Sequence, residues 1–264
     1  MLNFDDILKR YPPRLQGFRE NILKEYLQYR ILDIIYGSKY AGHLVFMGGT
    51  AIRVVHGGVR FSEDLDFDNR GLKEKDFENV AALIRSELSL DGYTVEVKNV
   101  FKGAYHCYIR FPGLLFEHGL FGHKQERILI QIDAQSQDYA YAPDKFLLQQ
   151  FGIFRYINTT PRPLLLSQKV LACLNRKREK GRDFFDVVYL GGMTAPDYGY
   201  LQKKAGLRTK DELLDALKGR IREVDLKALA EDVEPFLFEP SQKDRVLHMD
   251  GWLQAIGKGW NAQR

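Results

Sequence analysis

The sequence predicts an α+β chain: a mixed sheet with flanking helices, followed by a mostly helical second part. Three observations predict it. Apolar residues recur at helical spacing in "RENILKEYLQYRILDIIYGSKY" and again through the C-terminal part. Between Leu44 and Asp133, short runs rich in β-branched and aromatic residues alternate with turn residues. Pro143, Pro161 and Pro163 then punctuate the chain, and beyond them almost every long segment has a helical period. The division falls between Ala142 and Pro163, giving an α/β part over 1–145 and a helical part over 146–264.

Each element follows in order. Ile22, Leu23, Tyr26, Leu27, Ile31 and Ile34 make one helix that ends near Gly37. "HLVFM" is a short buried strand running into Gly48 and Gly49. "TAIRVVH" is a short helix stopped by Gly57 and Gly58. "FSEDLDFD" alternates as a strand does, and "KEKDFENVAALIRSELS" returns to helix. "TVEVKNVF", "HCYIRFP" and "RILIQID" are further strands. In the second part, Pro163 opens a helix with an apolar stripe of Leu166, Val170 and Leu174. Leu213, Leu214, Leu217, Ile221 and Leu226 mark a later helical run whose business is packing.

Composition narrows the function. A chain of 264 residues, 45% hydrophobic and 28% charged, is long enough for a sizeable core. The net charge of +4 permits a polyanionic partner without requiring one. Two cysteines, Cys107 and Cys173, exclude a disulfide framework and a thiolate metal cluster. His106, His118, His123 and His248 lack metal-ligand spacing. The start shows no basic-then-apolar leader, and no run approaches the roughly 18 apolar residues of a membrane span. A cytoplasmic protein with no membrane association is expected.

Chemistry concentrates in "FMGGTAIRVVHGGVRFSEDLDFDNRG". As a strand, "FSEDLDFD" puts Phe61, Glu63, Leu65 and Phe67 on one face, apolar apart from Glu63, and Ser62, Asp64, Asp66 and Asp68 on the other. Like charges in a row repel. A hard divalent cation removes that cost, and Mg²⁺ binds one or two carboxylates plus substrate phosphates. A solvated edge strand is the plainer reading. A calcium loop is excluded, because counting from Asp64 the required glycine is Asn69 and the required glutamate is Lys75. Directly upstream, Gly48 and Gly49 leave backbone N–H groups uncovered, with Thr50 placed to cap a helix beginning at Ala51. A glycine bend before an Asp-x-Asp strand reads as a phosphate site facing a metal site.

"GGTAIRVV" followed by "RFSEDLDF" resembles the signature of the AbiEii/AbiGii-type nucleotidyltransferase toxins, within the superfamily that has a DNA polymerase β-like core. The resemblance implies that fold, with Gly48, Gly49 and Thr50 on the triphosphate of an NTP and Asp64 and Asp66 on Mg²⁺ or Mn²⁺. It implies a third acid on a later strand, for which Asp133 fits by order; a strand-end aspartate also serves as a plain turn cap. The ion is then shared by Asp64, Asp66 and Asp133.

In "PLLLSQKVLACLNRKREKGRDFFDVVYLGG", Lys169 lies beside the apolar stripe. Such a lysine either snorkels to water or reaches a cleft as a phosphate clamp, and the family motif favours the clamp. Asp183 and Asp186 are three apart on one helical face, as a helix start prefers and as the family's Arg-Asp motif at Arg182 also requires. The basic run Arg176, Lys177, Arg178, Lys180 and Arg182 is a solvated face or a polyanion contact, and Arg53 and Arg60 flank the first motif similarly.

The implied activity is Mg-dependent transfer of NMP to RNA, foremost the tRNA 3′ end. The implied role is the toxin of a toxin–antitoxin pair in phage abortive infection, an antiviral defence, with an antitoxin encoded next door. A protein or small-molecule hydroxyl as acceptor, and a catalytically silent nucleotide-binding module, are the rival expectations.

Overall fold

A computed structural model describes residues 3–120 and 126–258; His123 lies outside them. The chain forms two compact units, Met1–Ala51 with Phe61–Thr159, and Ile52–Arg60 with Thr160–Arg264.

In chain order the first unit has α1 (Phe4–Leu8), α2 (Arg19–Tyr36), β1 (Leu44–Met47) and the start of α3 (Gly48–Val55). After them come β2 (Leu65–Asn69), α4 (Glu74–Leu90), β3 (Glu96–Lys102), β4 (Ala104–Pro112), α5 (Leu114–Glu117), β5 (Arg127–Gln135), β6 (Asp144–Leu148) and β7 (Arg155–Thr159). The strands form one mixed sheet in the order β3-β4-β5-β2-β1-β7-β6. Within it β2/β5 and β1/β7 are parallel and the other pairs antiparallel.

The two-residue period of the strands decides which face is covered. Ile128, Ile130 and Ile132 on β5 are at most 1% exposed, whereas Leu129 between them is 40% exposed. Ile35 of α2 and Phe77 and Ile84 of α4 meet Leu44, Cys107 and Ile132 in one interior cluster. Each such buried side chain contributes on the order of 1.5–3 kcal/mol. Leu65 and Phe67 belong to that covered face, so Asp66 is left on the opposite one.

Three boundaries depart from the sequence reading. Regular strand begins at Leu65, so Asp64 belongs to the approach to β2. β5 continues to Gln135, which puts Asp133 inside the strand and removes the strand-end cap reading. The segment after residue 145 is still sheet: β6 and β7 form a hairpin whose turn contains Phe151 at φ 56° and Gly152 at φ 79°. The first unit therefore runs to Thr159, and residues 52–60 go with the helical unit.

That unit contains α6 (Arg162–Asn175), α7 (Gly181–Gly191), α8 (Tyr198–Ala205), α9 (Lys210–Glu223), α10 (Leu226–Val233), α11 (Asp244–Leu247) and α12 (Met249–Lys258). α7 is its centre, with every residue buried except Arg182. Gly181 lets it pack closely on α10, because a Cβ there would strike the Leu229 carbonyl. The run read as one helical stretch is two helices. Thr209 and Glu212 close a capping box on α9, and Asp225 stops the run by capping α10 through Lys227 and Ala228 N–H groups. Residues 52–60 dock through an Arg60–Leu237 bridge, a Phe238 N–H to Val59 carbonyl bond of 3.1 Å, and Arg53 over the Phe238 ring at 4.6 Å.

Candidate active site

The glycine bend and the acids meet inside the sheet unit. Gly48 has φ +78°, in the left-handed region. A Cβ on it would lie 2.7 Å from Asp66 Cγ and 2.8 Å from Asp66 Cβ, and would collide with Oδ2. The Asp66 carboxylate thus packs directly against the bend. α3 starts at Gly48, not at Ala51, so Thr50 is not its cap. The Thr50 hydroxyl is fully buried and donates to the Asp64 main-chain carbonyl, tying the bend to the acid segment.

Register then brings the third acid alongside. Asp66 pairs with Asp133 across the parallel β2/β5 ladder, and Asp133 pairs with His106 across β4/β5. All three side chains share one face. His106 Nδ1 is 2.6 Å from Asp133 Oδ1, and Gln131 Nε2 donates to both carboxylate oxygens at 2.7 and 2.9 Å. Asp68, the last acid of the alternation, is buried and accepts from Tyr141 Oη at 2.8 Å and from the Gln137 N–H at 2.9 Å. It holds a loop in place.

The helical unit gathers the other motif residues. Lys169 Nζ donates to Asp183 Oδ1 at 2.9 Å and reaches Asp186 Oδ2 at 2.8 Å. Arg60 forks onto Asp186, with Nε to Oδ1 at 2.8 Å and the other tine to Oδ2 at 2.6 Å. Arg176 binds Asp183 Oδ2 at 2.6 Å. The rival reading of a snorkel to water does not hold: the Lys169 ammonium lies between two aspartates that are 3% and 1% exposed. Arg60, expected at phosphates, is 3% exposed and committed to Asp186. Arg182 sits 4.5 Å over the Phe236 ring.

Electrostatics within this cluster are mutually reinforcing. Burial pushes the Asp186 carboxyl up, but Arg60 and Lys169 outweigh it and hold it below the usual carboxylate range. Burial likewise lowers the Lys169 ammonium, yet Asp183 and Asp186 raise it above its ordinary value. Counting Arg60, Lys169 and Arg176 against Asp183 and Asp186 leaves one positive charge in surplus.

The family described as "Nucleotidyl transferase AbiEii toxin, Type IV TA system" matches residues 30–251. The chain belongs to the AbiEii family. Two Helicobacter pylori crystal structures share the fold of this AbiEii nucleotidyltransferase. One, the protein JHP933, has a TM-score of 0.57 at 18% identity over 91% of this chain and 93% of its own. The second has the same TM-score and identity over 91% of this chain and 96% of its own. A search among curated proteins finds no sequence match. Among the described residues no helix is long and apolar enough to cross a membrane.

The site's residues fit a hard divalent cation. The donors at the bend are carboxylate oxygens, as Mg²⁺ prefers, with the Asp66 carboxylate packed against Gly48. Among the described residues no group of three or more His, Cys, Asp or Glu side chains is placed to hold a metal ion. Asp133 is turned to His106 and Gln131. His106 is also what the sequence reading of this AbiEii chain missed. It precedes Asp133 by 27 positions, and only strand register joins them.

Proposed function

We propose that this AbiEii-family enzyme transfers NMP from an NTP to RNA, with the tRNA 3′ end as the foremost acceptor. Its role in this reading is the toxin of a pair acting in phage abortive infection, opposed by an antitoxin encoded beside it. The contact of Gly48 with the Asp66 carboxylate supports the reading, because a bare helix start and an acid lie side by side there.

In this mechanism the backbone N–H groups of Gly48, Gly49 and Thr50 receive the triphosphate. Asp64 and Asp66 would hold Mg²⁺ or Mn²⁺, which when bound would supply neutralisation of the developing phosphate charge. Asp133 accepts the proton of the acceptor hydroxyl, and His106 and Gln131 fix the orientation of its carboxylate. The freed oxygen bonds to the α-phosphorus as the α–β bridge breaks and pyrophosphate leaves. By the family motif Lys169 is the charge-offsetting cation of this reading, and Asp183 and Asp186 fix its ammonium.

The test is incubation of the protein with purified tRNA and each labelled NTP in Mg²⁺. Wild type labels the RNA, and Asp64→Ala and Asp66→Asn do not. Label found only in a protein fraction would overturn the acceptor.

A further inference from the structure

We propose that the cleft built by Arg70, Tyr139 and Tyr141 in the sheet unit is a nucleobase-stacking site. This deepens the transferase reading and rests on it. The cleft has a volume of about 370 Å³ and is lined further by Asp68, Asn69 and Asp138. That is enough for a nucleoside, at the lower end of small-molecule sites. Its walls are flat groups. The Tyr139 and Tyr141 rings are near-parallel, 24° apart in plane with centroids 6.4 Å apart. The Arg70 guanidinium lies 4.2 Å from the Tyr141 ring centroid and donates to the Tyr141 carbonyl at 3.0 Å. Aromatic rings and guanidinium planes are the surfaces on which unpaired bases stack.

Position points the same way. Asp68 stands two residues beyond Asp66 on the same face of β2, roughly 7 Å along the strand. By accepting from Tyr141 Oη and the Gln137 N–H, Asp68 fixes the loop onto the face that carries Asp66 and Asp133. The loop is also preformed. Asp138 holds φ 48°, uncommon for a residue with a side chain, and is braced by the Ser136 hydroxyl at 2.9 and 3.1 Å. Both tyrosines remain half-buried, as a platform awaiting a flat ligand requires and a filled core does not.

The base comes from the donor NTP or from the end of the RNA acceptor, and two binding measurements separate these sources. Calorimetry with each NTP in Mg²⁺ reads the donor, and anisotropy of a labelled short single-stranded RNA reads the acceptor. Tyr139→Ala is expected to weaken one of the two by about fivefold to a hundredfold, and Tyr139→Phe to restore it. Circular dichroism confirms that both variants are folded. If both affinities stay within about twofold in Tyr139→Ala, the cleft is not a base site. If wild type binds neither NTP nor RNA, the transferase reading falls with it, and that outcome is distinct from the first.

Discussion

Asp186 shows how much rests on a single carboxylate. It is 1% exposed and receives both tines of Arg60 and the ammonium of Lys169. Removing it leaves the buried Arg60 guanidinium without its counterion and Lys169 with Asp183 alone, which costs about 3–5 kcal/mol. Asp186→Ala is therefore expected to lower unfolding stability by that amount in denaturant titration, far more than Asp138→Ala on its exposed loop. The pH dependence divides by sign. Asp186 is depressed, so its contribution is present above the unfolded carboxylate value near 4 and disappears as pH falls through the lower folded value. Lys169 is raised, so its contribution persists up to its unfolded value near 10 and is lost only as pH climbs through the folded one. His56 sets the acid limb between them. Burial, then Arg162, lowers it to about 4, and among the described residues its Nε2 has no hydrogen-bond partner. Since the unfolded imidazole protonates near 6.5 and the folded one does not, stability should drop by about 3 kcal/mol between pH 6.5 and 4. In His56→Gln that part of the pH profile should flatten.

At the level of elements, α3 is the sensitive one. Gly48→Ala forces a side chain into a left-handed φ, costing about 1–2 kcal/mol, and drives Asp66 from the bend. NTP binding by this variant should weaken at least about tenfold, measured by calorimetry alongside a melting curve that stays cooperative. On α9, Thr209→Ala removes the reciprocal cap with Glu212 and should lower stability by about 1 kcal/mol with transfer unchanged. Much of this level was legible in the sequence. α2, α4 and β5 were read from apolar period, β1 from a short apolar run ahead of the glycines, and Gly48, Asp64 and Asp66 from their spacing. The β6/β7 hairpin was not. Its strands are five residues each, too short for a period to show, and the prolines around them read as the end of the sheet. The limits of α3 were also missed, because a glycine that starts a helix with positive φ looks in sequence like an ordinary turn.

Across the whole molecule, what the sequence could not show are pairings between distant positions. Arg60 and Asp186 are 126 residues apart, and His106 meets Asp133 only because β4 lies beside β5. Motif order named the acids, and only folding revealed their companions. The family assignment stands on residues 30–251, so it spans both units and not the glycine-and-acid motif alone.

The nine residues Ile52–Arg60 carry one last implication. Because they are borrowed by the helical unit from the middle of the sheet unit, no single cut separates the two. A protein truncated to start at Thr160 would lack the guanidinium that forks onto Asp186 and the backbone that bridges Leu237. Such a fragment should stay unfolded on its own, and a synthetic peptide spanning the loaned segment should rescue it.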